Sequence, residues 1–430
     1  MCERRAAGST IRRVNAPRLV ALSVVVIVAA ACGGDDGDDT TADTEAPVET
    51  GVPAETEPPV DEAPVDTEVP VETDAPVGTE APVETAAPVD TEAPVDEPAS
   101  IAVGEWTPFD GGEDCQCADG SAVDFMQRDA DPEKVVLYFE GGGACFTAET
   151  CAFEGQEKTY ISSSDQTPED LAGRGGIFDA ENPDNPLGDY SFIYVPYCTG
   201  DVHIGNAATD YSEDLTVQHR GYVNGNAALN HLVETYPDVE ELVVTGASAG
   251  SVPTPLFSGL ASDLLPDANI VSFGDSSGAY PDLEALNGAI GSLWGTENAI
   301  PEWPETEGIA IEEWSLPGLY TYGGLHAPDV TFAKFDHAYD EVQAFFGGLA
   351  GVPGDELLTL IQEIEADVES TGVDVASYIA PGTEHTIVAG DAFYEMEVEG
   401  VELVDWFTEL VEGGVPADVR CTECEPPAAE

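Results

Sequence analysis

Ser248 stands in Gly246-Ala247-Ser248-Ala249-Gly250, directly after the apolar run Leu242-Val243-Val244. A nucleophile elbow needs this order of buried strand, small-residue turn and helix, because the serine sits in a strained turn whose neighbours must let backbones pass closely. A serine hydroxyl attacks well only when a histidine takes its proton and an acid orients that histidine. In hydrolases with such an elbow the partners follow in the order serine, acid, histidine. Of six histidines, only His326, His337 and His385 lie beyond Ser248. The first two leave little chain for an intervening acid strand, so His385, in Gly382-Thr383-Glu384-His385-Thr386, is the expected base. Asp275, Asp336 and Asp340 all remain open as the acid on these grounds.

Acyl transfer also needs N–H groups fixed where negative charge develops on the carbonyl oxygen. Ala249, next to the nucleophile, is one expected donor. Gly143 and Ala144, in the glycine loop Gly141-Gly142-Gly143-Ala144, are the others. That loop has neither a following lysine nor GxGxxG spacing, so it does not read as a phosphate cradle.

The elements that must carry these residues show as short apolar runs separated by helical stretches. Residues 135–139, 191–195, 241–245 and 269–273 read as buried strands, and 224–236, 256–265 and 401–410 as helices. The expected class is α/β, α/β-hydrolase-like, with a mainly parallel sheet, helices on both faces and an inserted cap region. Trp294, Trp303 and Trp314, joined by Tyr320 and Tyr322, fall between Asp275 and Asp340. They suit either sugar stacking in a lid or an apolar cap core, and Trp294 and Trp303 are expected to line the substrate site with Asp275.

Residues 1–31 read as a signal peptide, with five arginines before an apolar run shorter than the roughly 18 residues of a membrane span. Ala29-Ala30-Ala31-Cys32 resembles a bacterial lipobox, so Cys32 is the expected lipidation site and membrane anchor. Residues 33–100 hold 21 acidic residues, 11 prolines and no Lys or Arg. This composition predicts a disordered, self-repelling tether. Residues 101–430, the expected catalytic domain, carry 63 acidic and 7 basic side chains, a formal charge of −56. That sign excludes nucleic acid as a partner, since binding phosphate chains requires cations. Cys115, Cys117, Cys145, Cys151, Cys198, Cys421 and Cys424 are odd in number and lack zinc-ligand spacing, so no metal or cofactor is expected.

Four stretches, Tyr138-Phe139-Glu140-Gly141-Gly142-Gly143-Ala144-Cys145, Pro196-Tyr197-Cys198-Thr199-Gly200-Asp201, the elbow, and Asp340-Glu341-Val342-Gln343, together resemble the pectin acetylesterase/Notum family. The resemblance spans roughly residues 105–413. It implies a serine esterase whose acid is Asp340, with Asp275 lining the site. It also implies disulfides Cys145–Cys151 and Cys117–Cys198, while the pairing of Cys421 with Cys424 is left open and Cys115 is left over. Two departures stand out: Ala144 where plant and animal members carry Trp, and Ser251 where a glycine commonly follows the motif. The expected protein is a secreted or membrane-anchored, extracytoplasmic monomer. It would remove acetyl or other short acyl groups from a glycan or small ester. The competing readings are a peptidase or thioesterase on the same scaffold and a catalytically silent surface protein.

Overall fold

The computed structural model describes residues 102–426; the expected signal segment, Cys32 and the whole expected tether over 33–100 lie outside the described residues. Nine strands organise the described chain: β1 (Thr107–Asp110), β2 (Asp124–Arg128), β3 (Asp131–Phe139), β4 (Tyr190–Val195), β5 (Glu241–Ala247), β6 (Asn269–Asp275), β7 (Thr331–His337), β8 (Val375–Ala380) and β9 (Val419–Arg420). They form one sheet in the order β1-β2-β4-β3-β5-β6-β7-β8-β9. β2 runs antiparallel to both its neighbours, and every other pair is parallel.

Alternate residues of each central strand enter two different cores. Val135, Leu137 and Phe139 pack with Leu242 and Val244 on one face, while Val136 and Tyr138 pack with Val243, Val271 and Phe273 on the other. With both faces buried there is no polar alternation, and so these strands read as continuous apolar runs. The first face is covered by α1 (Gly221–Thr235), α2 (Thr254–Leu264) and, after the insertion α3 (Glu284–Trp294), by α4 (Leu316–His326). Past β7 come α5 (Glu341–Leu349) and α6 (Leu357–Ser370); α7 (Leu403–Val411) covers the second face with Trp406, Phe407 and Leu410.

The strands run further than the apolar runs suggest, and the excess matters. β5 continues two residues to Ala247, up to Ser248, and β6 continues to Asp275. Both chemistry-bearing loops therefore leave the same C-terminal edge of the sheet, where ligands collect in open α/β folds. Between β6 and β7 an insertion carries α3, α4 and intervening 3-10 turns, and this is the cap.

Disulfides join Cys117 to Cys198, Cys145 to Cys151 and Cys421 to Cys424. Cys115 is a buried free thiol that donates to Gly111 O at 3.3 Å. Burial, reinforced by Asp110 and Asp114, pushes its pKa up to about 11. Among the described residues no single helix is long and apolar enough to cross a membrane.

Candidate active site

Ser248 follows β5 with φ +56°, a left-handed conformation that is strained for a residue with a side chain. Its neighbours show why the turn needs glycines. A Cβ on Gly246 would strike Gly250 O and Phe139 O, and one on Gly250 would strike Phe139 O, so the end of β3 passes directly against the elbow. Ser251, which departs from the family glycine, is buried and donates its hydroxyl to Ser248 O at 2.8 Å.

His385 lies in the loop after β8, with Nδ1 2.6 Å from Asp340 Oδ2. Asp340 is fully buried and caps α5: its Oδ1 accepts from Val342 N (2.8 Å) and Gln343 N (3.0 Å), and Gln343 Nε2 lies 3.3 Å from Oδ2. A carboxylate only accepts, so Nδ1 carries the imidazole hydrogen and Nε2 keeps its lone pair. Nε2 is buried and unpaired among the described residues. It is the atom free to take a proton.

The other two candidate acids hold different partners. Asp336 accepts from Gly278 N and Gln343 Nε2, each at 2.9 Å, and faces Lys334 at 3.7 Å. Asp275 accepts from Ile387 N (2.8 Å) and Val388 N (3.0 Å). Burial pushes its pKa up to about 6 against the pull of those bonds. It lies beneath the histidine loop and is no part of the cavity wall, which corrects the expectation that Asp275 lines the substrate site.

The glycine loop is pinned from both sides. Ala144 N donates to Thr159 O (3.3 Å) and Ile161 N to Gly142 O (2.9 Å), forming one bridge centred on Gly143 and Tyr160. The Ala144 N–H is engaged by Thr159 O in this arrangement, and Ala144 also lines the cavity beside Ser248. Gly143, at φ +79°, keeps its N–H outside that bridge while its carbonyl accepts from Tyr197 Oη at 2.7 Å. Buried Glu140 anchors the loop's start, accepting from Tyr197 N (2.9 Å) and pairing with Arg174 (3.3 Å). Burial raises its pKa, opposed by Tyr197 N–H and Arg174. His203 Nε2 donates to Glu140 O at 2.8 Å, and burial lowers the pKa of that ring to about 4.

In front of Ser248 opens a cavity of about 130 Å³. Gly143, Ala144, Ser248 and Ala249 form its chemical end, and Tyr280, Leu286, Ile290, Trp294, Trp314 and Phe346 are among its apolar walls. Trp294 is fixed by Nε1 donating to Cys145 O at 2.7 Å. Trp303 is elsewhere: it stacks on His326 at 4.2 Å, donates to Asp263 at 3.1 Å and covers Gly259. The expectation for Trp303 is corrected accordingly; its ring is buried against helices instead of facing the cavity. Tyr280 and Phe346, not anticipated, carry no signal beyond being aromatic. Metal-ligand atom types converge at Cys145, Cys151 and His219, but the sulfurs are joined and both His219 nitrogens are engaged, by Thr199 O and Tyr211 Oη.

Residues 110–293 match the family model described as Pectinacetylesterase, covering the glycine loop and the elbow. Over this segment the chain is similar to the pectin acetylesterase/Notum family. Human palmitoleoyl-protein carboxylesterase NOTUM is 25% identical over 316 residues, which is 67% of this chain and 62% of that protein. Pectin acetylesterase 4 of Arabidopsis thaliana is 26% identical over 164 residues, 37% of this chain and 39% of that one. The chain therefore spans less than two thirds of the length of these family members. The crystal structure of the Wnt deacylase Notum from Drosophila superposes with a TM-score of 0.55 at 18% identity, covering 74% of this chain and 97% of that one. That likeness establishes the α/β-hydrolase-like fold. The family model ends before Asp340 and His385, so the pairing of those two side chains is an observation independent of it.

Proposed function

We propose that the chain is a carboxylic-ester hydrolase working through an acyl-enzyme on Ser248. The observation that carries this is the 2.6 Å bond from His385 Nδ1 to buried Asp340, which leaves Nε2 unpaired at the sheet edge from which the strained Ser248 turn also leaves. Ser248 Oγ attacks the ester carbonyl while His385 Nε2 takes its proton, and Asp340 stabilises the resulting imidazolium. Gly143 and Ala249 N–H groups receive the oxyanion. The tetrahedral intermediate collapses as His385 protonates the departing alcohol. Water, deprotonated by the same nitrogen, then releases the carboxylic acid and restores Ser248.

The apolar cavity walls suit the acyl part of the ester. Charge speaks to the alcohol part: at −56, residues 101–430 repel a polyanionic chain, so an acylated neutral glycan or a small ester is the favoured substrate. The names of the family members, a pectin acetylesterase and a palmitoleoyl-protein carboxylesterase, support an acyl ester in general. Three disulfides fit an oxidising compartment. With them we propose export by residues 1–31, lipid attachment at Cys32 and a tether over 33–100, for which palmitate incorporation lost in Cys32→Ala is the test.

A fluorophosphonate probe should label the purified protein on the peptide containing Ser248, and p-nitrophenyl acetate should be hydrolysed. Ser248→Ala should abolish labelling and lower kcat by at least about a thousandfold. An unlabelled wild type, or a Ser248→Ala variant with near wild-type turnover, overturns the assignment.

A further inference from the structure

We propose that Asp275 and Ser276 are positioning residues, a latch that fixes the histidine loop to the nucleophile strand. Asp275 is the last residue of β6, and its Cα pairs with that of Ala247, the residue before Ser248. From there its Oδ2 accepts from Ile387 N and Val388 N at 2.8 and 3.0 Å. Ser276 Oγ accepts from Thr386 N and donates to Asp275 Oδ1, both at 3.1 Å. Ser276 N in turn donates to Phe335 O of β7 at 2.8 Å. Three successive N–H groups immediately after His385 thus converge on two adjacent side chains.

Consecutive N–H groups form a concavity that binds an anion, and here a carboxylate of the chain fills it. The arrangement is held against strain: Ser276 and Thr386 have φ of +67° and +64°, conformations that persist only where surrounding bonds over-determine them. Asp340 holds the imidazole by a single side-chain bond, and His385 keeps 21% of its side chain exposed. The ring's distance from Ser248 is therefore set by the backbone of its loop. Asp275 connects that backbone to the strand bearing the nucleophile.

The catalytic consequence rests on the esterase reading; the latch itself does not, and two readouts separate them. Amide hydrogen exchange at Thr386, Ile387 and Val388 should accelerate in Asp275→Ala whether or not any ester is hydrolysed. With p-nitrophenyl acetate, Asp275→Ala should lose about a hundredfold in kcat at a KM within about twofold of wild type, the effect of a misplaced catalytic group. Ser276→Ala should lose about tenfold. Asp275→Asn should recover most of the activity, because one oxygen makes both bonds to the loop. Unchanged exchange in Asp275→Ala overturns the latch, as does Asp275→Asn being as impaired as Asp275→Ala with an equal drop in Tm, which is a fold defect. Should Asp275→Ala not fold, Ser276→Ala decides: wild-type exchange and kcat in that variant overturn the proposal. If wild type hydrolyses nothing, the esterase reading falls and the exchange measurement still decides the latch.

Discussion

Asp340 receives hydrogen bonds on both oxygens, and the cap of α5 dictates what asparagine would do there. Val342 N and Gln343 N require an oxygen at Oδ1, so the amide nitrogen of Asp340→Asn would face His385 Nδ1. Two donors cannot pair, and the imidazole hydrogen would move to Nε2, the nitrogen that must accept from Ser248. We expect a folded variant with kcat lower by about four orders of magnitude and little change in KM; a loss under tenfold in steady-state kinetics would contradict the assignment. The proposed nucleophile and base could be singled out in the sequence because a glycine-flanked serine after a buried strand is a steric signature and chain order left one histidine. Residue types did not separate Asp275 from Asp340; only the Asp-Glu-x-Gln resemblance did. The engagement of the Ala144 N–H by Thr159 O leaves no trace in residue type.

The central strands were readable because burial on both faces makes them apolar throughout, and β3, β4, β5 and β6 all contain the predicted runs. Their ends were not, since Gly246, Ala247, Gly274 and Asp275 continue the ladder without β-forming side chains. The cap was the least legible element. Trp294 and Trp303 stand nine positions apart with equal claims on the substrate, yet one faces the cavity and the other packs on α2 and α4. This division predicts different phenotypes. Trp303→Ala, emptying a buried site remote from Ser248, should cost about 3–5 kcal/mol of stability in urea denaturation while leaving kcat for p-nitrophenyl acetate unchanged. A changed kcat at constant KM would return Trp303 to the site. The latch is equally invisible beforehand, for it joins side chains of one loop to main-chain groups of another over a hundred residues away.

For the molecule as a whole, buried groups set the response to acid. His203, with a pKa near 4 in the fold, stays neutral where an unfolded histidine, at about 6.5, takes a proton. Its contribution to stability is complete above pH 6.5 and is lost as pH falls toward 4. Asp275 acts oppositely: raised to about 6, it is protonated more readily in the fold, so its contribution grows as pH falls from 6 toward the ordinary carboxylate range. Denaturation midpoints from pH 7 to 4 should fall less steeply in His203→Gln than in wild type, and more steeply in Asp275→Asn. Parallel curves would show that neither group titrates as described. The cavity in front of Ser248 has two kinds of wall. Its chemical end is mostly backbone, the glycine loop and the elbow in such close contact that a Cβ on Gly141 would strike Ala247 O and Ser248 Cβ. Most of its remaining lining comes from residues 280–350 and is made of side chains. Preference for one acyl group over another can therefore be rewritten at the lining side chains of a single stretch of sequence, provided that Asp340 within it is kept.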